Sequence, residues 1–322
     1  MTSRYLPPDA QSWKGRPSPD KAYLHENIRL LDLSGGHVPK QESRTPVLLG
    51  YACDEGVTRN LGRPGAFEGP TALRRALGKM PLLREGTLLW DAGDLACKER
   101  NLETLQEDFS VAVSQLIGNG YFPLAIGGGH DIAYAHFRGL CEALPPETKI
   151  GILNFDAHLD LRTPLPRPHS GSPFLQISRL CKQEHREFHY SCVGVRRDAN
   201  PQELWDRAVS LDVMVVEREA MEAWKIDRVL ERITRFMEPL DAVYLTIDLD
   251  GFSSAYAPGV SAASPMGFSP GALLPCVDLI LGSGKLLSMD IAELNPAQDR
   301  DSQTAVLAAS LVHRVLHFPG LF

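Results

Sequence analysis

Eight short apolar segments, each bounded by turn-forming residues, constrain the fold of this 322-residue chain more than any other feature. They are rich in Val, Ile and Leu, which is typical of buried strands. Such strands, alternating with helices, predict a parallel sheet that is covered on both faces. The predicted strands occupy residues 46–52, 87–95, 121–128, 149–158, 188–195, 212–217, 242–250 and 285–294.

Five segments between these strands carry the three- and four-residue apolar spacing of helices. Residues 1–45 are rich in Pro, Ser and charge, and we expect an irregular N-terminal extension there. No internal repeat or linker interrupts residues 46–322, which predicts a single α/β domain. Ligands of such domains bind at the carboxyl ends of the strands. The predicted helices occupy residues 69–80, 101–120, 222–236, 269–285 and 302–318.

Composition excludes several classes of partner. Lys and Arg total 33 and Asp and Glu total 40, so the formal net charge is −7, with no basic run. This balance predicts neither a nucleic acid nor a membrane partner, and favours a small-molecule substrate. The six cysteines form no CxxC pair, and the chain begins without a secretory apolar segment. We therefore expect a soluble cytoplasmic protein.

Acids and histidines lie at the ends of three predicted strands. Residues two apart on a strand point to the same side, so Asp156 is expected to share a face with His158, and Asp248 with Asp250. Asp160 can join them only if the backbone bends. The residues concerned are His130 and Asp131, then Asp156, His158 and Asp160, and finally Asp248 and Asp250.

Four buried carboxylates at one edge of a sheet would repel each other and lose their hydration. Divalent cations remove both penalties, and oxygen-rich ligation favours Mn²⁺ over Zn²⁺. Each motif alone has an ordinary explanation, such as a glycine-rich turn, a cap or an exposed strand end. All three at the ends of buried strands predict a metal centre.

Four motifs resemble those of the ureohydrolase (arginase/agmatinase) superfamily. "GGGHD" (127–131), "NFDAHLD" (154–160) and "TIDLDGFSSAYAPGVSAASP" (246–265) resemble its metal-binding motifs, and "MDIAELNP" (289–296) resembles its final motif. The resemblance covers residues 46 to the C-terminus. It implies the arginase-like fold, a three-layer α/β/α domain with a parallel sheet of about eight strands, together with two Mn²⁺ ions and a homo-oligomer.

The resemblance also assigns roles to individual residues. Asp156 and Asp248 would bridge the two ions, Asp160 would relay a proton, and Glu293 would hold an amidine or guanidine group. Because all six ligands are present, the resemblance implies an active enzyme. One ion would be held by His130, Asp156, Asp160 and Asp248, and the other by Asp156, His158, Asp248 and Asp250.

Two further segments resemble the formimidoylglutamase branch of that superfamily, which serves histidine degradation. They are residues 50–74, with spaced Arg-Asn-Gly-Arg, and "HSGSPFLQI" (169–177). Phe174 occupies the place of a substrate-contacting His of arginases, and agmatinases carry Ser-His-Gly where residues 169–171 are His-Ser-Gly. The implied reaction is attack of a metal-bridging hydroxide on N-formimidoyl-L-glutamate, which yields L-glutamate and formamide.

The two carboxylates of that substrate require cationic or N–H donors. Arg59, Arg63 and Arg197 are candidates, and Asn200 is a further one; a solvated surface position is the ordinary alternative for each arginine. His169 is a candidate for lining the pocket or shuttling protons, and otherwise a loop histidine.

Three other functions remain open at this stage. An agmatinase-like or other guanidino-compound hydrolase would release urea. A zinc deacetylase of related fold would carry one metal site and a pair of catalytic histidines. A non-enzymatic binding protein would have lost one or more of the six ligands, and the sequence retains them all.

Overall fold

A computed structural model describes residues 4–84 and 86–322. Ten strands and nine α-helices lie within these ranges. The strands are β1 (Arg4–Leu6), β2 (Ile28–Leu30), β3 (Thr45–Ala52), β4 (Leu89–Ala96), β5 (Tyr121–Ile126), β6 (Ile150–Phe155), β7 (His189–Val195), β8 (Met214–Glu217), β9 (Ala242–Asp248) and β10 (Leu286–Ala292). The helices are α1 (Glu55–Arg59), α2 (Gly69–Leu77), α3 (Leu102–Gly118), α4 (Ile132–Ala143), α5 (Pro173–Gln183), α6 (Gln202–Ser210), α7 (Ile226–Met237), α8 (Pro270–Gly282) and α9 (Gln303–Leu316).

All ten strands belong to one sheet, in the order β1-β4-β3-β5-β10-β9-β6-β7-β8, with β2 also paired to β4. The eight strands β3 to β10 pair in parallel, as the alternation of apolar segments and helices predicts. Every predicted strand is present. The prediction of an α/β fold with a parallel, roughly eight-stranded sheet is therefore confirmed.

Helices cover both faces of this sheet and produce three layers. One apolar cluster joins the sheet to α2, α7, α8 and α9. A second cluster joins the opposite face to α3, α4, α5 and α6. The central strands β3, β5, β6 and β9 are buried along their whole length, which explains why their sequences are almost continuously apolar.

The N-terminal segment departs from the irregular extension that its composition suggests. Most of residues 4–44 lacks regular structure, but β1 pairs antiparallel with residues 94–96 of β4 and β2 pairs parallel with residues 89–91. Trp13 is buried, and its indole N–H donates to the Asp91 carboxylate at 2.7 Å. These contacts tie the segment to the sheet. Within the described ranges, no helix has the length and apolar character needed to cross a membrane.

Candidate metal centre

Four neighbouring strands in the middle of the sheet deliver the polar residues to one place. In the order β5-β10-β9-β6, their carboxyl ends lead to His130, Glu293, Asp248 and Asp156 respectively. The parallel register sets these ends side by side, since Ala292 pairs with Asp248 and Phe155 with Ile247. Residues up to 163 positions apart thus meet at one edge, where α/β sheets bind ligands.

The alternation of polar residues in two motifs arises from turns and not from a strand. The strand β6 ends at Phe155, so Asp156 and His158 lie in the loop that follows, and the expectation that they share a strand face is wrong. Oδ1 of Asp156 accepts the backbone N–H of His158 at 2.7 Å. Oδ1 of Asp248 accepts the N–H of Asp250 in the same way, at 2.9 Å. Each turn leaves the other carboxylate oxygen, Oδ2, to face His130.

Two acids of the site hold left-handed backbone conformations. Asp160 has φ of 46° and Glu293 has φ of 66°, both unusual for residues with a side chain. The bend at Asp160 directs its carboxylate toward His130. A backbone bend is what the sequence analysis required for Asp160 to join the other acids. The backbone of Glu293 is fixed by a 2.8 Å bond from its N–H to the carbonyl of Gly128. Such strain persists where the surrounding structure enforces it, and it clusters at functional sites.

The first group of potential ligands surrounds His130. Its Nδ1 lies 3.1, 3.0 and 3.1 Å from carboxylate oxygens of Asp156, Asp160 and Asp248, yet it makes no well-aligned hydrogen bond. Burial lowers the pKa of His130, but the contacts with these carboxylates outweigh it and hold the pKa well above its ordinary value. Ligand atoms about 2.1 Å from an octahedral cation are themselves about 3 Å apart. The spacing around Nδ1 therefore fits a shared cation.

A second group lies next to the first and contains Asp156, His158 and Asp250. Nδ1 of His158 is 3.4 Å from Asp156 and 3.2 Å from Asp250. Asp156 belongs to both groups, as a bridging ligand would. Asp248 belongs to the first group only. Its bridging role stays a prediction.

Charge in this cluster is not balanced by the protein. Burial raises the pKa of Asp160 to about 6, and the nearby charge of Asp156 adds to this effect. Burial raises the pKa of Asp250 to about 8, with a further contribution from Asp248. Burial, followed by the charges of Asp248 and Asp250, also raises the pKa of Glu293 well above its usual range. A cation among these groups would oppose every one of these shifts.

Buried polar atoms that lack hydrogen-bond partners also point to a cation at this cluster. Seven buried side-chain polar atoms within the described residues lack a hydrogen-bond partner, and three of them lie here. These three are Nδ1 of His130, Oδ1 of Asp250 and Oε2 of Glu293. Buried polar atoms without partners are costly, so a cluster of them indicates a missing binding partner. The donor set of imidazole nitrogen and carboxylate oxygen fits a divalent cation such as Mn²⁺.

A cavity of about 410 Å³ opens onto the cluster. Arg63, one of the predicted substrate-binding residues, lines it, but its guanidinium already donates to the carbonyls of Val260 and Ser261 and to Gln298. These bonds give Arg63 a structural role at the mouth. The acids and histidine at its walls are His158, Asp160, Asp248, Asp250 and Glu293.

Arg59 and His169 line an adjoining cavity of about 390 Å³ instead. The guanidinium of Arg59 pairs with Glu55 at 3.0 Å and with Glu103 at 2.8 Å. His169 accepts the N–H of Gly171 at Nδ1, so its Nε2 carries the proton and faces the carbonyl of Thr163. Burial lowers the pKa of this imidazole. The predicted roles of both residues in substrate binding and catalysis stay predictions.

The two remaining candidates lie outside both cavities. Arg197 pairs with Glu217 and stacks over Trp205. Asn200 is buried, accepts the N–H of Leu159 and donates to the carbonyl of Ala157. Asn200 therefore holds the loop that carries the metal-site residues, and direct contact with a substrate is not indicated for either side chain.

Arg162 is not among the candidate residues that the sequence predicts. It lines both cavities, and no carboxylate among the described residues pairs with its guanidinium. One feature of the sequence points to Arg162. It follows Asp160 by two positions and so continues the alternation of polar residues that begins at Asp156. Within these cavities it is the arginine whose side chain remains available for an anionic ligand.

Comparison with known proteins adds an independent finding. A sequence model of the arginase family matches residues 44–317. Formimidoylglutamase of Geobacillus thermodenitrificans is 40% identical over 98% of this chain and 98% of its own. The crystal structure of formimidoylglutamase from Bacillus subtilis has a TM-score of 0.81 at 21% identity, covering 94% of this chain and 93% of its own. Formiminoglutamase of Trypanosoma cruzi with Mn²⁺ has a TM-score of 0.73 at 23% identity, covering 97% and 98%.

Proposed function

Because the chain belongs to the arginase family, we propose that it hydrolyses N-formimidoyl-L-glutamate to L-glutamate and formamide with two Mn²⁺ ions. The observation that supports this proposal is the set of side chains that line one cavity. Metal-site acids and histidine, the partnerless carboxylate oxygen of Glu293, and the unpaired guanidinium of Arg162 all line or reach it. These groups match an amidine at one end of the substrate and a carboxylate at the other.

His130, Asp156, Asp160 and Asp248 would hold one cation, and Asp156, His158 and Asp250 the other. Two divalent cations supply Lewis acidity and lower the pKa of water, so that hydroxide is available near neutral pH. The protein's contribution is to fix the ligands before the cations arrive. The turns at Asp156 and Asp248 and the bend at Asp160 provide this rigidity.

Glu293 is placed to hold the reacting group. Its Oε1 accepts the backbone N–H of His130 at 3.2 Å, while Oε2 has no partner. The free oxygen can accept an N–H of the amidine and orient its carbon beside the metal-site acids. Asp160 lines the same cavity and can take a proton from the attacking water and pass it to the departing nitrogen of glutamate. The C–N bond to glutamate then breaks and formamide is released.

Arg162 is positioned to bind a carboxylate of the glutamate portion. A guanidinium forms paired, charge-assisted hydrogen bonds with a carboxylate, and the other arginines near the mouth are already engaged. In this proposal Arg162 takes a role for which the sequence predicted Arg59, Arg63 and Arg197, and the roles of those three stay predictions. Location in the cytoplasm, a role in histidine degradation and assembly as a homo-oligomer remain predictions from the sequence.

A panel assay tests the proposed substrate. Protein reconstituted with Mn²⁺ is supplied separately with formimidoylglutamate, agmatine, arginine and guanidinobutyrate, and formamide, glutamate and urea are quantified. We expect glutamate and formamide in equal amounts from the first compound alone. Urea from a guanidino compound, with formimidoylglutamate inert, would assign the protein to the alternative guanidino-hydrolase reaction.

Substitution of Arg162 by Met tests how the carboxylate is recognised. A charge-assisted hydrogen bond contributes about 1.5–3 kcal/mol, so kcat/KM for formimidoylglutamate should fall about 10- to 100-fold. N-propylformamidine, which has no carboxylate, should be hydrolysed equally by both proteins. Arg167→Met is the matched control, because Arg167 is exposed on the same loop and lines neither cavity. Equal losses with both compounds would contradict the assigned role.

A further inference from the structure

A chain of buried hydrogen bonds runs from His130 away from the cavity. Nε2 of His130 lies 3.0 Å from the hydroxyl of Thr246, which lies 2.5 Å from Oδ1 of Asp290. The other carboxylate oxygen, Oδ2, accepts the hydroxyl of Tyr244 and lies 2.7 Å from Nδ1 of His136. Apart from His130 itself, each of these side chains has no exposed surface.

The last hydrogen bonds of this series, at Ser288, determine where His136 carries a proton. Its Nε2 lies 2.7 Å from the hydroxyl of Ser288, and that hydroxyl donates to the carbonyl of Pro123 at 2.8 Å. A carbonyl only accepts, so the single hydroxyl proton of Ser288 is committed to Pro123. Ser288 must then accept from His136, and Nε2 of His136 carries a proton.

The carboxylate of Asp290 fixes the proton on His130 by the same reasoning. An ionised carboxylate only accepts, so Thr246 donates its single hydroxyl proton to Asp290. Thr246 must therefore accept from His130, which places a proton on Nε2. In the neutral imidazole that binds a cation, the lone pair of His130 is then on Nδ1, the atom that faces the three carboxylates. Nδ1 of His136 and Oδ2 of Asp290 share one further proton across their 2.7 Å contact, which completes the network.

We propose that Thr246, Asp290 and His136 are positioning residues that hold His130 in the Nε2–H tautomer and thereby set the affinity of the cation site at His130. This inference rests on the metal-binding part of the proposed function, but not on the identity of the substrate. Partners of the non-ligating nitrogen are known to orient metal-bound histidines, and their loss costs about 10- to 100-fold in metal affinity. Here the partner is a hydroxyl whose direction is imposed by a buried carboxylate.

The variant Thr246→Val removes the hydroxyl and preserves the shape of the side chain. Calorimetric titration of the metal-free protein with Mn²⁺ should show one cation bound as in the wild type and the other about 10- to 100-fold more weakly. Electron paramagnetic resonance at limiting Mn²⁺ should change from a coupled pair to an isolated ion. Thr246→Ser keeps a hydroxyl and should restore both the second affinity and the coupled spectrum.

Thr45→Val is the matched control. Thr45 is also buried on a strand of the sheet, but it lies at the start of β3, and its hydroxyl donates only to the nearby carbonyl of Ser43. It should bind two cations as the wild type does. If Thr246→Val binds two cations with wild-type affinities and gives the coupled spectrum, the inference is overturned.

A measurement on the wild type keeps the test independent of how the variant folds. With ¹⁵N-labelled histidine and diamagnetic Zn²⁺, nuclear magnetic resonance should show a proton on Nε2 of His130 and none on Nδ1. It should also show a proton on Nε2 of His136. A Zn²⁺-loaded protein whose His130 carries its proton on Nδ1, or a wild type that binds no cation there, overturns the inference. Failure of the proposed substrate would appear only in the panel assay.

Discussion

Two groups of buried acids in this protein differ in how their charge is balanced. In one, Arg74 on α2 donates to both oxygens of Asp91, at 2.9 and 2.8 Å, and to Asp94 at 2.6 Å. Trp13 and the N–H of Gly93 supply the remaining donors to Asp91. In the other, at the carboxyl ends of the central strands, the described part of the chain provides acids and two histidines but no arginine or lysine pairs with them.

The difference distinguishes a group of acids that stabilises the fold from a group that binds a ligand. The Arg74 group is complete within the protein, so it fixes the position of α2 and the N-terminal segment on the sheet. The metal-site group is incomplete, because three of its buried polar atoms lack partners. Buried charge needs a partner, and when the chain does not supply it, the partner is a ligand.

Replacing an acid of the metal site should give the largest effect. In Asp248→Asn, kcat/KM should fall by about 10³-fold or more, because cation charge contributes several kcal/mol to catalysis. Steady-state kinetics and metal analysis of the reconstituted protein measure this. In the metal-free state the same variant should be as stable as the wild type or more so, because one repulsive charge is removed. Full activity with two bound ions would contradict the binuclear site.

Replacing the cation of the Arg74 group should instead reduce the stability of the fold. Arg74→Met leaves the buried carboxylate of Asp91 and the partly buried one of Asp94 without their cation, and the free energy of unfolding should fall by about 3–5 kcal/mol. Urea denaturation measures the change. Arg75→Met, which alters the exposed neighbour on the same helix, is the control and should change stability by about 0.5 kcal/mol or less. If Arg74→Met lowered the free energy of unfolding by less than about 1 kcal/mol, this group would not be a structural ion pair.

Removal of the cations should reduce stability less than Arg74→Met does. Saturation with Mn²⁺ at about 100 times its dissociation constant adds about 2.7 kcal/mol to the free energy of unfolding, and a chelator abolishes it. If the two groups are independent, the wild type and Arg74→Met should gain the same increment. Denaturation with and without Mn²⁺ measures both increments. Increments that differ by more than about 0.5 kcal/mol would show that the groups are coupled.

Much of the fold and of the site was accessible from sequence because both depend on local patterns. Buried parallel strands are continuously apolar, so all eight of them were found. Ligands that end such strands, as Asp248 does in β9, are placed by the sheet itself. Helices with weaker patterns were missed. In α6 only Leu204 and Ala208 are buried, and α4 has a buried face that includes the polar His136.

The choice among the arginines near the cavities was not accessible from sequence, because it depends on contacts distant in sequence. Arg59 is engaged by Glu103, 44 residues away, and Arg63 by the carbonyl of Val260, 197 residues away. Nothing near these arginines in the sequence shows that their donors are used. The roles of Asn200 and Thr246 are hidden for the same reason.

The two short N-terminal strands have a consequence for how the protein behaves in isolation. Together, β2 and β1 cover the first and second halves of the outer side of β4. Without them β4 would be a bare edge strand, whose unpaired N–H and carbonyl groups can pair with another chain and promote aggregation. A fragment trimmed to the family match, residues 44–317, would expose this edge and lose the indole donor of Trp13. The segment that looks most dispensable in the sequence is therefore what keeps neighbouring copies of the sheet apart.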